Sequence, residues 1–455
     1  REAAAIVGIN VPRTVMWSFM LAALVGAVAG VIITPITLTS FNAGTLRRDE
    51  FVTSFDASRE VRVGLPNPVN LALGAAWRRE RWAIIAGERA SWIDGGAQAQ
   101  DGSGKASAGS QVFAGFSPSD AVDTHRENVG AYAEAESKFS DQVLANAAAR
   151  FENYSDFGSL VTGKFAMRVQ PSSRVTLRGA ASTGFRAPGL GQSHFSKIVT
   201  NVISGQPTQV GVFPVGHPAA RAMGAQDLKA ERSLNVSAGL AVTPLEGLTV
   251  TADLYEIWLK DRIILGATFA DPTTKAYLQS LGISGIDAIQ YFTNGLDTKT
   301  TGVDLTADLQ IPMSGDRSLS FNVSANYGKT AITRVDALPA VVTSHTAETR
   351  LLDEVTTVAI TRERPDWRAT LTTNYKQGPW RGLARASYYG TFASAQPAFT
   401  DGYTETYPSR TLVDAEAGYT LAGVELSLGA RNLFDTYPGK ADRKSTRLNS
   451  SHSSV

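Results

Sequence analysis

The sequence predicts an all-β chain, an antiparallel transmembrane β-barrel with one hydrophobic helix at its N-terminal end. Three observations carry that prediction. Apolar and polar residues alternate with period two over stretches of about ten residues or more. The connections between those stretches alternate between short turns and long loops. The composition also suits strands, with 41 Gly in 455 residues and 43% hydrophobic residues, spread without long Leu or Ile runs outside the first segment. There is no cysteine, which excludes a disulfide scaffold and any Cys-ligated metal or Fe–S centre. With 43 Lys+Arg against 42 Asp+Glu, the chain lacks the basic excess of a nucleic-acid binder. It is too apolar for disorder and too polar for a polytopic helical membrane protein.

Three pieces separate along the chain: 1–45, 46–442 and 443–455. Residues 14–46 carry no charge, a run long enough to span a bilayer. A helix is expected over 16–34, with Gly26 and Gly30 forming a G-x-x-x-G packing face and Pro35 limiting its far side. The apolar stretch is too long for a signal peptide. Arg1-Glu2-Ala3-Ala4-Ala5, Gly8-Ile9-Asn10-Val11 and the Gly/Ala-rich helix resemble the permease of branched-chain amino-acid ABC transporters; an unrelated anchor is the alternative. The tail 443–455 is Ser-rich and aperiodic, with the composition of disorder. It resembles translated adapter sequence. The first piece carries net +1 and the tail net +3 of the chain's +1, leaving the middle at −3.

In the middle piece, Leu319, Phe321, Val323, Ala325 and Tyr327 share one face of a ribbon, and Ser320, Asn322, Ser324 and Asn326 the other. The pattern recurs at 248–255, 303–310, 367–375, 413–419 and 424–431. Aromatic residues gather near the ends, at Trp367, Tyr375, Trp380, Tyr388 and Tyr389, as interfacial girdles do. Short turns are expected at 66–68, 140–141, 171–173, 244–247, 312–316, 377–379 and 422–423, and long loops at 86–123, 186–230, 263–297, 331–363 and 394–408. That leaves about fourteen strands: 51–63, 69–84, 125–138, 142–153, 160–170, 174–185, 231–243, 247–262, 298–311, 317–330, 365–377, 380–393, 409–421 and 424–435. The apolar face is expected to meet lipid, with all long loops on one rim.

Several motifs then fall in a recognisable order. They are Tyr154-Ser155-Asp156-Phe157-Gly158, the run from Arg178 to Phe185-Arg186-Ala187-Pro188, and Leu228-Lys229-Ala230-Glu231-Arg232-Ser233. Asn294-Gly295 with Thr301-Gly302-Val303-Asp304, and Asn432-Leu433-Phe434-Asp435 before Tyr437-Pro438, complete the set. Together they resemble the barrel of TonB-dependent outer-membrane receptors. The resemblance implies a barrel of about 22 strands around a plug, of which about 14 are present here. On that comparison 424–435 is the penultimate strand, and the chain reads as an internal fragment without plug or closing strands. The resemblance also implies an outer-membrane location in a Gram-negative cell. Implied partners are outer-membrane lipid, a small ligand such as a siderophore, and the TonB-ExbB-ExbD system acting through the plug.

Candidate ligand-binding residues are Arg186, His194 and His217. Arg186, if inward, suits an anionic ferric siderophore; alternatively it pairs with a lumen carboxylate, while Pro188 simply ends the strand. His194 and His217 lie where haem receptors of the family carry a histidine, but Ala225-Gln226-Asp227-Leu228 departs from the matching box, and the alternative reading makes both ordinary loop residues. No His spacing suggests a metal site, and no resident cofactor is implied. Glu134 with Glu136 and Asp304 with Asp308 fall on the polar face, as a hydrated lining would. No nucleophile elbow, triad or phosphate loop appears, so no enzyme is expected.

The functional expectation is energy-coupled uptake of a scarce ligand. A passive porin or adhesin-type barrel is the alternative, and a permease read from the first segment is a third. The chain as written is expected not to transport by itself, and to be found in the inner membrane or in aggregates.

Overall fold

The computed structural model describes residues 42–98, 108–110, 114–203, 206–346, 350–395 and 403–439. The helix expected at 16–34 and the tail at 443–455 lie outside them. No described helix is long and apolar enough to cross a membrane.

The strands are β1 (Gly44–Val61), β2 (Val69–Ala86), β3 (Val122–Ser140), β4 (Val143–Tyr154), β5 (Gly158–Ser172), β6 (Val175–Arg186), β7 (Lys197–Ile203), β8 (Gln206–Phe213) and β9 (Glu231–Leu245). They continue as β10 (Leu248–Leu265), β11 (Ala288–Met313), β12 (Arg317–Val335), β13 (Trp367–Gln377), β14 (Trp380–Tyr389), β15 (Phe392–Ala395), β16 (Thr404–Tyr407), β17 (Arg410–Leu421) and β18 (Val424–Ala430). Fourteen of them form a single path in which sequence neighbours pair, β1 through β6, then β9 through β14, then β17 and β18. These are the fourteen strands expected from the periodicity. Among the described residues the path is open at β1 and β18.

Several boundaries differ from expectation: β1 begins at Gly44 and not at 51, β12 runs to Val335 and not to 330, and β14 stops at Tyr389 and not at 393. β11 runs 26 residues and rises well beyond position 298. β18 ends at Ala430 instead of continuing to 435, because Asn432 and Asp435 take positive φ of 50° and 51° and turn the chain. Four short strands in the loops carry no period-two signal. β7 pairs with β8, β8 runs parallel to the start of β11, and β15 pairs with β16.

Register makes the two-faced ribbon continuous across strands. Leu309 lies opposite both Leu248 and Phe321, and Leu305 opposite both Ala252 and Ala325. Val323 lies opposite Leu371, which faces Ala386, which faces Val413. The other face is a polar ladder. Asn326 donates to Asp304 at 2.6 Å, Asn322 donates to Asp308, and the Thr251 and Thr306 hydroxyls meet at 2.6 Å. Among the described residues nothing covers the apolar face: Phe165, Leu254, Val323, Leu371 and Leu428 are all exposed. A stripe that large has to be covered by something else. Aromatic pairs bound it at both ends, Tyr327–Trp367 at 4.8 Å towards the loops and Trp380–Tyr419 at 4.6 Å towards the turns. Along β13 the two rows, at Trp367 and Tyr375, are separated by about 26 Å at about 3.3 Å per residue. Tyr389 departs from the expected girdle, since its register opposite Arg368 and Arg410 puts it on the polar face.

The main buried apolar cluster sits among the long loops. Helices α2 (Leu190–His194), α3 (Pro218–Ala222), α4 (Pro272–Ser280), α5 (Ala340–His345) and α6 (Glu354–Thr361) follow the small α1 (Arg89–Trp92). Met223, Phe269, Leu278, Ile289, Tyr291 and Val342 bring three loops into one core. α4 is started by Asp271, whose carboxylate accepts the Thr273 and Thr274 amides, each at 3.1 Å. The described residues among 42–45 and 85–119 form a separate compact unit. There the buried Ser91 hydroxyl donates to the Glu88 carbonyl at 2.6 Å, and Gly87 and Gly115 leave it room.

Because the chain has no cysteine, single labels test the two faces cleanly. A spin label at Val323→Cys in micelle-folded protein is expected to collide with oxygen and not with an aqueous nickel chelate, and Ser324→Cys the reverse. Equal accessibility of the two sites would contradict the register.

Candidate ligand-binding cleft

At the loop end of β2 to β6 the polar face opens into a cleft of about 620 Å³. Its lining includes Arg48, Arg78, Arg126, Arg150 and Arg186 against Glu80 and Glu152, with Trp82, Tyr154 and Phe185 as aromatic surface. Such a cationic, aromatic wall favours an anionic ligand with flat groups.

Two buried carboxylates organise the wall. Glu80 lies opposite Arg126 in register, and both are buried. Arg126 donates to Glu80 through Nε at 3.0 Å and Nη2 at 2.5 Å, and through Nη1 to the Pro188 carbonyl at 2.7 Å. Its guanidinium also lies over the Tyr154 ring, 5.2 Å from the centroid. Arg126 therefore holds the turn that follows β6. Glu152 accepts from Arg150 and from the Tyr154 hydroxyl at 2.7 Å. Arg150 remains partly exposed, so one carboxylate does not use up its donors.

The second clamp is Glu231, only 2% exposed. Arg186 grips it bidentately, Nε to Oε2 at 2.8 Å and Nη2 to Oε1 at 2.5 Å, while the Ile263 amide donates to Oε1 at 2.7 Å. One carboxylate thus ties β6, β9 and β10 together. Nearby, the Asn294 side chain donates to the carbonyls of Lys229 and Asp261 at 2.9 and 2.6 Å and accepts the Lys229 amide at 2.8 Å. Asp261 sits at φ 55° in the bulge of β10. Gly295 stands beside it, where a Cβ would come within 2.8 Å of the Leu351 side-chain end.

The sequence-predicted residues scatter across these features. Phe185, Arg186 and Ala187 line the cleft, and Pro188 supplies the carbonyl that Arg126 holds. His194 ends α2, half-buried, and burial lowers its pKa against the opposing pull of Asp156. His217 belongs to the loop core, stacked on Phe213 at 3.9 Å. Its Nδ1 accepts the Ala219 amide at 3.2 Å and caps α3, so the neutral ring carries its proton on Nε2. That tautomer offers no lone pair outward to a haem iron. Asn432, Leu433, Phe434 and Asp435 form a turn on β17: the Leu433 amide donates to Val413 at 2.7 Å, and Asn432 clasps Thr436 through both side-chain atoms. Asp304, Asp308 and Glu134 each take an amide partner, from Asn326, Asn322 and Asn146. Among the described residues no three His, Asp or Glu side chains are grouped to hold a metal. The sequence reading missed Glu80, Arg126, Arg150, Glu152 and Glu231. Only Glu231 stood inside a quoted motif; the others become visible through register.

Two outcomes follow. Arg126→Ala strands a buried carboxylate and is expected to cost about 3 kcal/mol, against under about 1 kcal/mol for the exposed Arg48→Ala, by urea unfolding in micelles. Equal costs would contradict the clamp. Burial holds the His217 pKa below its ordinary value, so its contribution to the loop core is present above about pH 6.5 and fades as pH falls through the lowered folded value. Exchange of the α3 amides should quicken on acidification, and His217→Asn should keep the cap while removing that pH dependence.

The family model of the TonB dependent receptor-like β-barrel matches residues 32–433. Among curated proteins no sequence relative is matched. Among solved structures, the siderophore receptor PirA from Acinetobacter baumannii is similar with TM-score 0.55 and 16% identity, over 86% of this chain and 51% of that one. The ferric enterobactin receptor PfeA of Pseudomonas aeruginosa, as an R480A mutant in complex with enterobactin, gives 0.57 and 14% over 86% and 49%. The FrpB iron transporter from Neisseria meningitidis gives 0.55 and 14% over 87% and 52%. The chain spans about half the length of these structures.

Proposed function

Since this chain belongs to the TonB dependent receptor-like β-barrel family, we propose that it is a barrel section of a receptor importing an anionic ferric siderophore. Barrels of this family are Gram-negative outer-membrane proteins, and the family is one of receptors, not enzymes. The carrying observation is the arginine-rich cleft on the polar face, at the loop rim, where a ligand arriving from outside first meets the wall. Arg78 and Arg150 are the ligand-facing donors: Arg150 bonds Glu152 through Nε only and Arg78 approaches Glu50 no closer than 3.8 Å, whereas Arg126 and Arg186 are each held by two nitrogens in the Glu80 and Glu231 clamps. Trp82 and Tyr154 supply faces for aromatic chelating groups. The exposed apolar face meets outer-membrane lipid, and the polar ladder lines the lumen. Energy from TonB-ExbB-ExbD reaches this wall through the plug that the family resemblance implies. The siderophore complexes among the similar structures support the choice of ligand class.

The test is a titration of micelle-folded protein with a ferric catecholate, read by quenching of Trp82. Arg78→Ala and Arg150→Ala are each expected to weaken binding about tenfold. In cells carrying the receptor, uptake should stop on adding a protonophore. Unchanged affinity in both variants, with protonophore-resistant uptake, would contradict the proposal.

A further inference from the structure

On the outward, apolar face, alternation places Arg232 beyond Leu234 on β9, and Lys260 beyond Trp258 on β10. On the same face lie Lys299 of β11, opposite Trp258, and Lys329 of β12, opposite Thr301. All four stand at the long-loop end, just outside the band that Tyr327 and Trp367 close. Arg232 and Lys260 face each other directly in register. Directly opposed like charges destabilise a sheet unless an anion lies between them. Among the described residues neither cation has a carboxylate ion pair, nor does Lys329. Lys299 pairs with Glu256 and lies over the Trp258 ring at 5.7 Å. Farther out, Asp261, Asp297 and Asp336 are engaged by Arg334. A groove of about 370 Å³ lies beside the opposed pair, lined by Arg232, Leu234, Trp258 and Lys260.

The corresponding positions on β2 and β3 are arranged differently. There Arg79 pairs with Glu127 at 3.9 Å, and Arg81 pairs with Asp123. On β9, β10 and β12 no such close carboxylate pair forms at Arg232, Lys260 or Lys329 among the described residues, and Lys260 acts on Asp297 only at longer range.

The geometry points to a site for the phosphate groups of an anionic outer-leaflet lipid, formed by Arg232, Lys260, Lys299 and Lys329. Trp258 and Leu234 would seat the first part of the acyl region, and the four cations the headgroup. The inference rests on the lipid-facing assignment of the apolar face. The occupant follows from charge complementarity at the edge of that face: clustered Lys and Arg beside a bilayer recruit anionic headgroups, and an interfacial tryptophan fixes their depth.

The experiment uses the full chain folded in maltoside micelles, with adducts counted by native mass spectrometry. The probes are diphosphorylated lipid A, phosphatidylcholine and inorganic phosphate. Lipid A is expected to bind in preference to phosphatidylcholine, with a loss of about fivefold for each cation changed to Gln. The quadruple variant R232Q/K260Q/K299Q/K329Q should lose the preference, and the control R174Q/R317Q at the turn end should keep it. Undiminished lipid A adducts on the quadruple variant, or displacement by millimolar phosphate alone, would overturn the inference. Insertion of the unmodified chain into pure phosphatidylcholine vesicles is scored separately by protease protection, so failure of the membrane assignment is read apart from loss of the phosphate site.

Discussion

Everything in this chain depends on strand register. A slip of one residue between β11 and β12 would put Phe321 on the face that carries Asp304 and Asp308. Side-chain pairs hold the register at several levels at once. Asn326 with Asp304 and Asn322 with Asp308 fix one face, and Leu309 with Phe321 fixes the other. In a medium without water, every backbone N–H and C=O along the strands must also be satisfied by the neighbouring strand. A long antiparallel path meets that demand for its interior strands with no contribution from side chains. The outward face is then free to be apolar and the inward face free to carry charge.

Charge is placed where register and loops cooperate. The Glu80–Arg126 pair is buried, and a buried ion pair stabilises only when its remaining donors are also satisfied. Here the Pro188 carbonyl takes the remaining Nη1 donor, so the pair holds the turn after β6 in place. Glu231 acts similarly between β6 and β10. These clamps hold two arginines by two nitrogens each, while Arg150, bonded to Glu152 through Nε, stays partly exposed at the cleft wall. Above them, three loops share one apolar core around Phe269, Leu278 and Val342, which makes the rim a packed body. A ligand would then meet a preorganised surface, which lowers the ordering cost of binding.

The fourteen strands were legible because their signal is local: Leu319 to Tyr327 alternate without interruption, and turns such as Pro312–Asp316 punctuate them. The Arg186-to-carboxylate reading was equally open to sequence reasoning, since an arginine at the inward end of a strand needs a partner. Its identity as Glu231 needed the pairing of β6 with β9, 45 residues away. Glu80 and Arg126 meet only through the register of β2 and β3. The loop core was invisible for a different reason. Met223, Phe269 and Ile289 come from separate loops with no common period, and β8 joins β11 by parallel pairing that no turn announces. Asn432 was noticed as a motif but read as strand; its positive φ, which asparagine tolerates well, makes it a turn instead.

The most direct measurement of the two-faced wall is tryptophan quenching in lipid-reconstituted protein, using variants that retain one tryptophan each. Trp77, Trp367 and Trp380 stand on the apolar face, and Trp82 lines the cleft. Lipids brominated on their acyl chains should quench the first three and leave Trp82 bright, while aqueous acrylamide should quench Trp82 alone. Bromolipid quenching of Trp82, with Trp367 and Trp380 open to acrylamide, would mean that the faces are reversed and the cleft is not aqueous.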